Sequence, residues 1–210
     1  MALLAAGGGL PAVARRDSNL NAMQRYSGAL TLFLLLGMVL ARVLLMRKKE
    51  IKAMKFGRID KKDFLIPPFA IFYFYLVFAA AFRLPTVSGQ EFFQSGIASW
   101  TGVVLCLAGL ALLFLSLVSF GKSFRVGIDP DQPGKLVTAG VFAFSRNPIY
   151  VAFGSVLLGE FLLFSNWILL VYTAAAVWLF HRQVLREEEY MRSYYGAQYS
   201  SYCDRVRRYL

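Results

Sequence analysis

The sequence has little of what metal centres and soluble catalytic sites are usually built from. Its 210 residues contain one histidine, His181, and two cysteines, Cys106 and Cys203. A single histidine provides no zinc-binding cluster, and no acid at suitable spacing accompanies a nucleophile to complete a catalytic triad. Because Cys106 lies within an apolar run and Cys203 near the C-terminus, we expect no structural disulfide. We therefore expect neither a metal nor a histidine-based hydrolytic site.

Acidic residues are also scarce: 12 Asp and Glu stand against 23 Lys and Arg, which gives a net charge of +11. The chain is 58% hydrophobic, and its mean hydropathy is +0.53. That apolar content, at the length of one domain, predicts an integral membrane protein. The basic residues are scattered between apolar spans and match no nucleic-acid-binding motif. We therefore attribute the positive charge to membrane topology and to attraction for anionic membrane lipids, with no nucleic-acid partner.

Five long apolar runs predict the transmembrane helices of an all-α fold. They cover residues 27–46, 64–82, 97–120, 149–165 and 167–180. The last two are joined so tightly, through Ser165 and Asn166, that they must form an antiparallel helical hairpin. The fifth run has only 14 residues, about 21 Å of helix, which is short of a bilayer. We expect it to continue through His181 towards an amphipathic tail helix that ends at Gly196.

The distribution of Lys and Arg predicts the orientation in the membrane. The 47–63 loop, the 121–148 loop and the tail from residue 181 carry 18, whereas the N-terminal arm and the 83–96 loop carry 4. Because cytoplasmic loops are enriched in basic residues, we place the N-terminus outside and the C-terminus in the cytoplasm. Residues 1–120 then form an arm and three membrane helices, and residues 121–210 a loop, the hairpin and the tail, within one structural domain. The arm lacks the charge order of a secretory signal, and we expect it to be flexible or interfacial.

The polar residues that are able to support chemistry concentrate on the predicted cytoplasmic side. Arg146 and Asn147 precede Pro148, an arrangement that suits a membrane anchor and a helix N-cap as well as a binding site. The consecutive acids 187–189 point about 100° apart around the tail helix. They form either a solvated helix face, or a face from which one carboxylate turns inwards and needs a cation, either Arg146 or a cationic ligand.

Three further features have structural readings beside functional ones. Glu160 lies within the fourth apolar run, where an acid is either functional or satisfied by a structural hydrogen bond. His181 suits the membrane interface. The tyrosines of the tail are typical of the aromatic belt at that interface.

Two stretches together carry a resemblance to a known family. They are "KLVTAGVFAFSRNPIY" at 135–150 and, beyond the hairpin, "EEEYMRSYYGAQYSSYCDRVRRYL" at 187–210. In order and spacing they resemble the isoprenylcysteine carboxyl methyltransferase and phospholipid methyltransferase superfamily of integral membrane enzymes. The pattern of that superfamily is Leu-Val-Thr-x-Gly, Arg-His-Pro-x-Tyr, a helical hairpin, and Glu-Glu before Phe-Gly-x-x-Tyr-x-x-Tyr. The resemblance covers residues 121–210.

The resemblance implies that S-adenosylmethionine binds without a Rossmann domain, in a pocket built by the C-terminal half. Carried over by position, the cofactor-binding residues are Lys135, Leu136, Val137 and Phe142 towards the adenosine, Asn147, Pro148, Ile149 and Tyr150 at the methionine and ribose, and Glu187 at the cofactor's polar groups. Asn147 stands where the family has histidine, so it keeps hydrogen bonding and loses titration. Gln183 stands where the protein-methylating branch has an arginine, which weakens transfer of a prenylcysteine substrate.

The implied reaction is methyl transfer to a lipophilic or lipidated substrate, with carboxylate O-methylation favoured. Such a displacement needs alignment and exclusion of water more than acid–base chemistry. Arg146, Arg182 or Arg186 would orient a carboxylate nucleophile, and Glu188 would be the base for an amine or thiol. Arg146, Arg182 and Glu188 are thus the catalytic candidates.

Two other functions remain open from the sequence. Membrane sterol reductases are similar in this C-terminal architecture, so an NADPH-dependent reductase of lipid double bonds is one alternative. The other is a non-catalytic membrane scaffold. Binding of S-adenosylhomocysteine, of NADPH or of neither separates the three.

Overall fold

The computed structural model describes residues 22–47, 66–84, 93, 95–121 and 136–210, with only the backbone at 46, 47 and 66–69. Within these ranges the regular elements are six α-helices and one short 3-10 turn at Gly140–Ala143. The helices are α1 Ala22–Arg47, α2 Ile66–Ala81, α3 Gly96–Phe120, α4 Pro148–Phe164, α5 Trp167–Tyr195 and α6 Ala197–Arg205. The prediction of an all-α fold is confirmed.

Three of the helices are long and apolar enough to cross a membrane, by length and composition. They are Ala22–Leu45 within α1, the whole of α3, and α5. The apolar helices α2 and α4 are shorter, with 16 and 17 residues. Each of the five apolar runs in the sequence therefore has its own helix.

The fifth run and the tail form one continuous helix. Helix α5 has 29 residues, about 43 Å of helix, because no proline or glycine interrupts it. It ends where the sequence predicts, before Gly196, whose φ of +52° suits a residue without a side chain. The amphipathic tail helix is thus the continuation of the hairpin's second arm, and the short helix α6 follows it.

The hairpin turn is stabilised by its own two residues. Ser165 adopts a left-handed conformation, with φ +49° and ψ +39°, at the end of α4. The side-chain oxygen of Asn166 accepts a hydrogen bond of 2.8 Å from the backbone N–H of Ile168 and so caps α5. Both polar side chains are buried.

Close approach of backbones joins α3 to α4. A Cβ atom on Gly102 would lie 2.5 Å from the carbonyl oxygen of Gly159, and one on Gly159 would lie 2.7 Å from Sγ of Cys106. Small residues allow such contact between membrane helices, where the surrounding lipid supplies no hydrophobic drive to association. This interface fixes the direction in which α4 leaves the loop that precedes it.

Candidate functional site

The segment before α4 is fixed from both sides. Phe142 is buried and packs edge-on against Phe120 at the end of α3, with ring centroids 4.5 Å apart. Gly140 has a φ of +65°, and a side chain there would meet Ser119. From the other side, the hydroxyl of Tyr202 in α6 donates a 2.6 Å hydrogen bond to the carbonyl oxygen of Phe142. Arg146 and Asn147 are therefore held in a defined place.

A buried carboxylate lies at the centre of the site. The Glu188 side chain is 4% exposed, and its Oε1 lies 3.0 Å from Nη2 of Arg146, which is 9% exposed. Its Oε2 lies 3.0 Å from both Nε and Nη2 of Arg208. The amide of Asn147 donates to Oε1 at 3.3 Å. Four N–H donors thus surround a charge that would otherwise be costly to bury.

A second pair lies beside the first. The hydroxyl of Tyr150, in the first turn of α4, donates a 2.7 Å hydrogen bond to Oε1 of Glu187. Gln183, one turn earlier on α5, donates to the same oxygen at 3.0 Å. The Tyr150 ring packs on Phe180 with centroids 5.6 Å apart. We call the set Arg146, Asn147, Tyr150, Glu187 and Glu188 the hairpin mouth.

The last five residues, 206–210, form the C-terminal segment and fold back onto the hairpin mouth. The backbone N–H of Arg146 donates to the carbonyl oxygen of Arg207 at 3.0 Å. The amide of Asn147 donates to the carbonyl oxygen of Arg208 at 3.1 Å. Nδ1 of His181 and the hydroxyl of Tyr209 are 2.8 Å apart. Main-chain and side-chain atoms of this segment thus join both halves of the hairpin.

The tyrosines of α6 pack inwards rather than outwards. Tyr199 and Tyr202 are each 3% exposed. Burial raises the pKa of Tyr202 to about 12 and that of Tyr199 above its usual range. Both hydroxyls therefore stay protonated at neutral pH, and Tyr202 remains the donor that holds Phe142.

The structure brings most of the residues named from the sequence to one place. The hairpin mouth contains five of them, and buried Phe142 and Pro148 lie on the same stretch of chain. Half-buried Leu136 and Val137 lie earlier on it, and Ile149 packs against a buried cluster that includes Leu113 and Leu117 of α3. Lys135 lies outside the described residues.

Arg182 is not brought to the hairpin mouth through any contact among the described residues. Its guanidinium lies over the Trp178 ring, 4.9 Å from the centroid, on the exposed side of α5. That geometry is a cation–π contact. Its orientation of a substrate stays a prediction.

Arg208 and Tyr209 were not predicted from the sequence. A cation opposite the acidic triplet was expected, with Arg146 or a cationic ligand as the candidates. Arg208 carries the right charge, yet nothing in the local pattern indicates that the chain turns back after α6. The extended backbone of Val206, with φ −124° and ψ +132°, redirects it.

The fold and this cluster define a class: a helical membrane protein with an ion-paired polar site where a helical hairpin begins. The chain has the same fold as a solved eukaryotic intramembrane Ras methyltransferase, isoprenylcysteine carboxyl methyltransferase, with a TM-score of 0.63 and 19% sequence identity. That similarity covers 88% of this chain and 65% of the other. Together with the apolar helices, it supports an integral membrane protein.

Sequence comparison also finds methyltransferases. Residues 97–198 match the phospholipid methyltransferase family. Protein-S-isoprenylcysteine O-methyltransferase B of Arabidopsis thaliana is 31% identical over 108 residues, which cover 50% of this chain and 55% of that protein. The Schizosaccharomyces pombe enzyme of that name is 33% identical over 105 residues (49% and 44%), and the Homo sapiens enzyme 30% over 128 residues (60% and 45%). The resemblance to this methyltransferase superfamily is thereby confirmed.

The chain spans about half the length of the curated relatives it matches. The hairpin mouth lies wholly inside the matched residues 97–198, whereas the C-terminal segment lies beyond them.

Proposed function

We propose that this protein is a membrane-embedded methyltransferase that uses S-adenosylmethionine and acts on a lipophilic or lipidated substrate. One observation carries the proposal. The side chains that the family resemblance assigns to the cofactor meet where α4 and α5 come together: Tyr150 of α4 donates a hydrogen bond to Glu187 of α5, and Asn147, the N-cap of α4, donates one to the neighbouring Glu188. The relatives' names, which specify an O-methyltransferase, support a carboxylate as the methyl acceptor.

The residues present fit the cofactor. Nε of Arg146 is buried and has no hydrogen-bond partner among the described residues, which indicates a polar group still to be bound there. Glu187 supplies a carboxylate for a cationic ligand, and Asn147 supplies an amide. Half-buried Leu136 and Val137 offer apolar surface for an adenine ring, with Lys135 beside them in sequence. Phe142, which the resemblance assigns to the same ring, is buried against Phe120.

When bound, S-adenosylmethionine supplies an electrophilic methyl group on a sulfonium. The protein's own contribution is to align the acceptor and exclude water. Arg146 provides a guanidinium that orients a carboxylate without protonating it.

Glu188 is less suited to the role of base, because both its oxygens already accept hydrogen bonds from arginine. This favours an acceptor that is anionic from the start. We further propose that the hairpin mouth faces the cytoplasm, where a water-soluble methyl donor is available.

The test is methyl transfer by purified protein from methyl-labelled S-adenosylmethionine. The acceptors are a prenylated cysteine with a free carboxylate, the same compound as its carboxamide, and a membrane lipid extract. We expect label in the carboxylate compound or an acidic lipid, released as methanol by mild alkali because it is an ester, and none in the carboxamide.

Two results would contradict this proposal. Label that resists alkali would indicate an amine or thiol acceptor and remove the carboxylate assignment. Failure to bind S-adenosylhomocysteine, or binding of NADPH instead, would contradict a methyltransferase altogether.

A further inference from the structure

The C-terminal segment contacts the hairpin mouth through several polar groups. It supplies two main-chain acceptors, at residues 207 and 208, to the consecutive residues Arg146 and Asn147. It also supplies the Arg208 guanidinium to Glu188. Packing of a loose tail would not require three polar contacts to residues of the same site.

Arg208 contacts one oxygen of the Glu188 carboxylate through a fork of two N–H groups. Nε and Nη2 both lie 3.0 Å from Oε2 of Glu188, which leaves Oε1 for Arg146 and Asn147. Because both N–H groups converge on this one oxygen, they hold Oε2 in place, and a lysine ammonium offers no such planar pair of donors. The orientation of Oε1 in turn fixes the Asn147 amide and the Arg146 guanidinium.

We propose that the C-terminal segment is a wall of the cofactor site, and that Arg208 is a positioning residue that acts through Glu188 on Asn147 and Arg146. This inference rests on the proposed function, since it concerns the same site. Removal of Arg208 would leave the buried Glu188 carboxylate with one guanidinium partner fewer. The carboxylate would then be free to rotate, and the Asn147 amide that bonds to it would lose its fixed orientation. Cofactor affinity would then fall without any loss of a direct contact.

The experiment measures the dissociation constant of S-adenosylhomocysteine by calorimetry in detergent, together with the thermal midpoint without ligand. We expect Arg208→Gln to raise the dissociation constant by about tenfold and Arg208→Lys by a smaller factor, because the charge remains while the fork is lost. In a Glu188→Gln background, Arg208→Gln should add less than about twofold, since the two residues act as one unit.

Arg205→Gln is the matched control, because it removes the same charge from an exposed arginine whose Nε donates to the backbone carbonyl oxygen of Ser201 in its own helix. It should leave the affinity unchanged. If Arg208→Gln fails to fold, Tyr209→Phe loosens the same segment through its contact with His181 and should raise the dissociation constant two- to threefold.

Failure of the proposed function and failure of this inference give different results. A wild-type protein that does not bind S-adenosylhomocysteine contradicts the proposed function, and the inference falls with it. A wild-type protein that binds, with Arg208→Gln equal in affinity or lower only in thermal midpoint, overturns the inference and leaves the function standing. Full additivity with Glu188→Gln overturns it as well, because Arg208 would then act independently.

Discussion

At the scale of single residues, three consecutive acids have three different surroundings. Glu187 accepts from Tyr150 and Gln183, Glu188 is enclosed by arginines, and Glu189 is exposed. The helical step of about 100° per residue turns each side chain to another side. This is why one of the three is buried, the second of the two arrangements that the sequence left open, while another faces solvent.

The Tyr150–Glu187 hydrogen bond yields a prediction on affinity. Tyr150→Phe keeps the ring on Phe180 and removes only the donor, so we expect it to weaken S-adenosylhomocysteine binding by about fivefold, the effect of one hydrogen bond near 1 kcal/mol. Calorimetry in detergent measures it. Tyr194→Phe, at an exposed position on α5, is the control. Equal affinity of Tyr150→Phe and wild type would remove Tyr150 from the site.

Glu160 yields a prediction on stability. It is 0% exposed, and neither of its oxygens has a hydrogen-bond partner among the described residues. Because an unsatisfied buried polar group is costly, Glu160→Met, which fills a similar volume, should stabilise the protein by about 1–3 kcal/mol. A thermal melt of detergent-purified protein measures the change. A lowered midpoint, or lost cofactor binding, would instead indicate that the carboxyl has a partner or a function.

At the scale of helices, the site depends on how α4 and α5 are placed against the rest. The α3–α4 interface is set by glycines in close contact, and the hairpin turn by Ser165 and Asn166. The long α5 carries Glu187 and Glu188 past the apolar part of the hairpin to meet the start of α4. The two arms therefore differ in length, and the extra turns of α5 form half of the site.

The helix interface yields a prediction with a matched pair of variants. A Cβ on Gly102 would lie 2.5 Å from a backbone oxygen, whereas one on Gly154 meets no atom of another element within 4 Å. Gly102→Ala should therefore destabilise the protein by about 1–3 kcal/mol through overpacking. Gly154→Ala should leave it unchanged or slightly stabilised, since alanine favours a helix. Thermal melts measure both, and equal midpoints for the two variants would contradict this packing.

At the scale of the whole molecule, the distribution of basic residues predicts one orientation of the helices in the membrane. The 18 basic residues of the predicted cytoplasmic side include those of the hairpin mouth and the C-terminal segment. An orientation with this end in the cytoplasm is therefore the one that the distribution of basic residues predicts, and it would give the proposed cofactor access to the site.

Cysteine accessibility tests that orientation. In a chain with Cys106 and Cys203 replaced by alanine, single cysteines at Gln90 and Lys55 should react from opposite sides. A membrane-impermeant maleimide on intact cells should label position 90 and spare position 55, which reacts only after permeabilisation. The reverse pattern would invert the topology.

The sequence by itself determined the apolar runs, the hairpin and the end of α5, because each depends on residues that are neighbours along the chain. The run at 97–120 and helix α3 at Gly96–Phe120 differ by a single residue. The short Ser-Asn connection leaves two apolar helices no other arrangement. The motif at 145–150 also located one half of the site.

Only the tertiary structure decided which charges meet. Glu188 is paired with Arg208, 20 positions away, and with Arg146, 42 positions away, across three elements. Arg182, equally basic and closer in sequence, faces outwards onto Trp178. The pattern of charges along the sequence indicates that a buried carboxylate needs a cationic partner. It does not indicate which residue is the partner, because the identity of the partner depends on where the chain turns after α6. The backbone of Val206 makes this turn, and through it the end of the chain becomes part of the site.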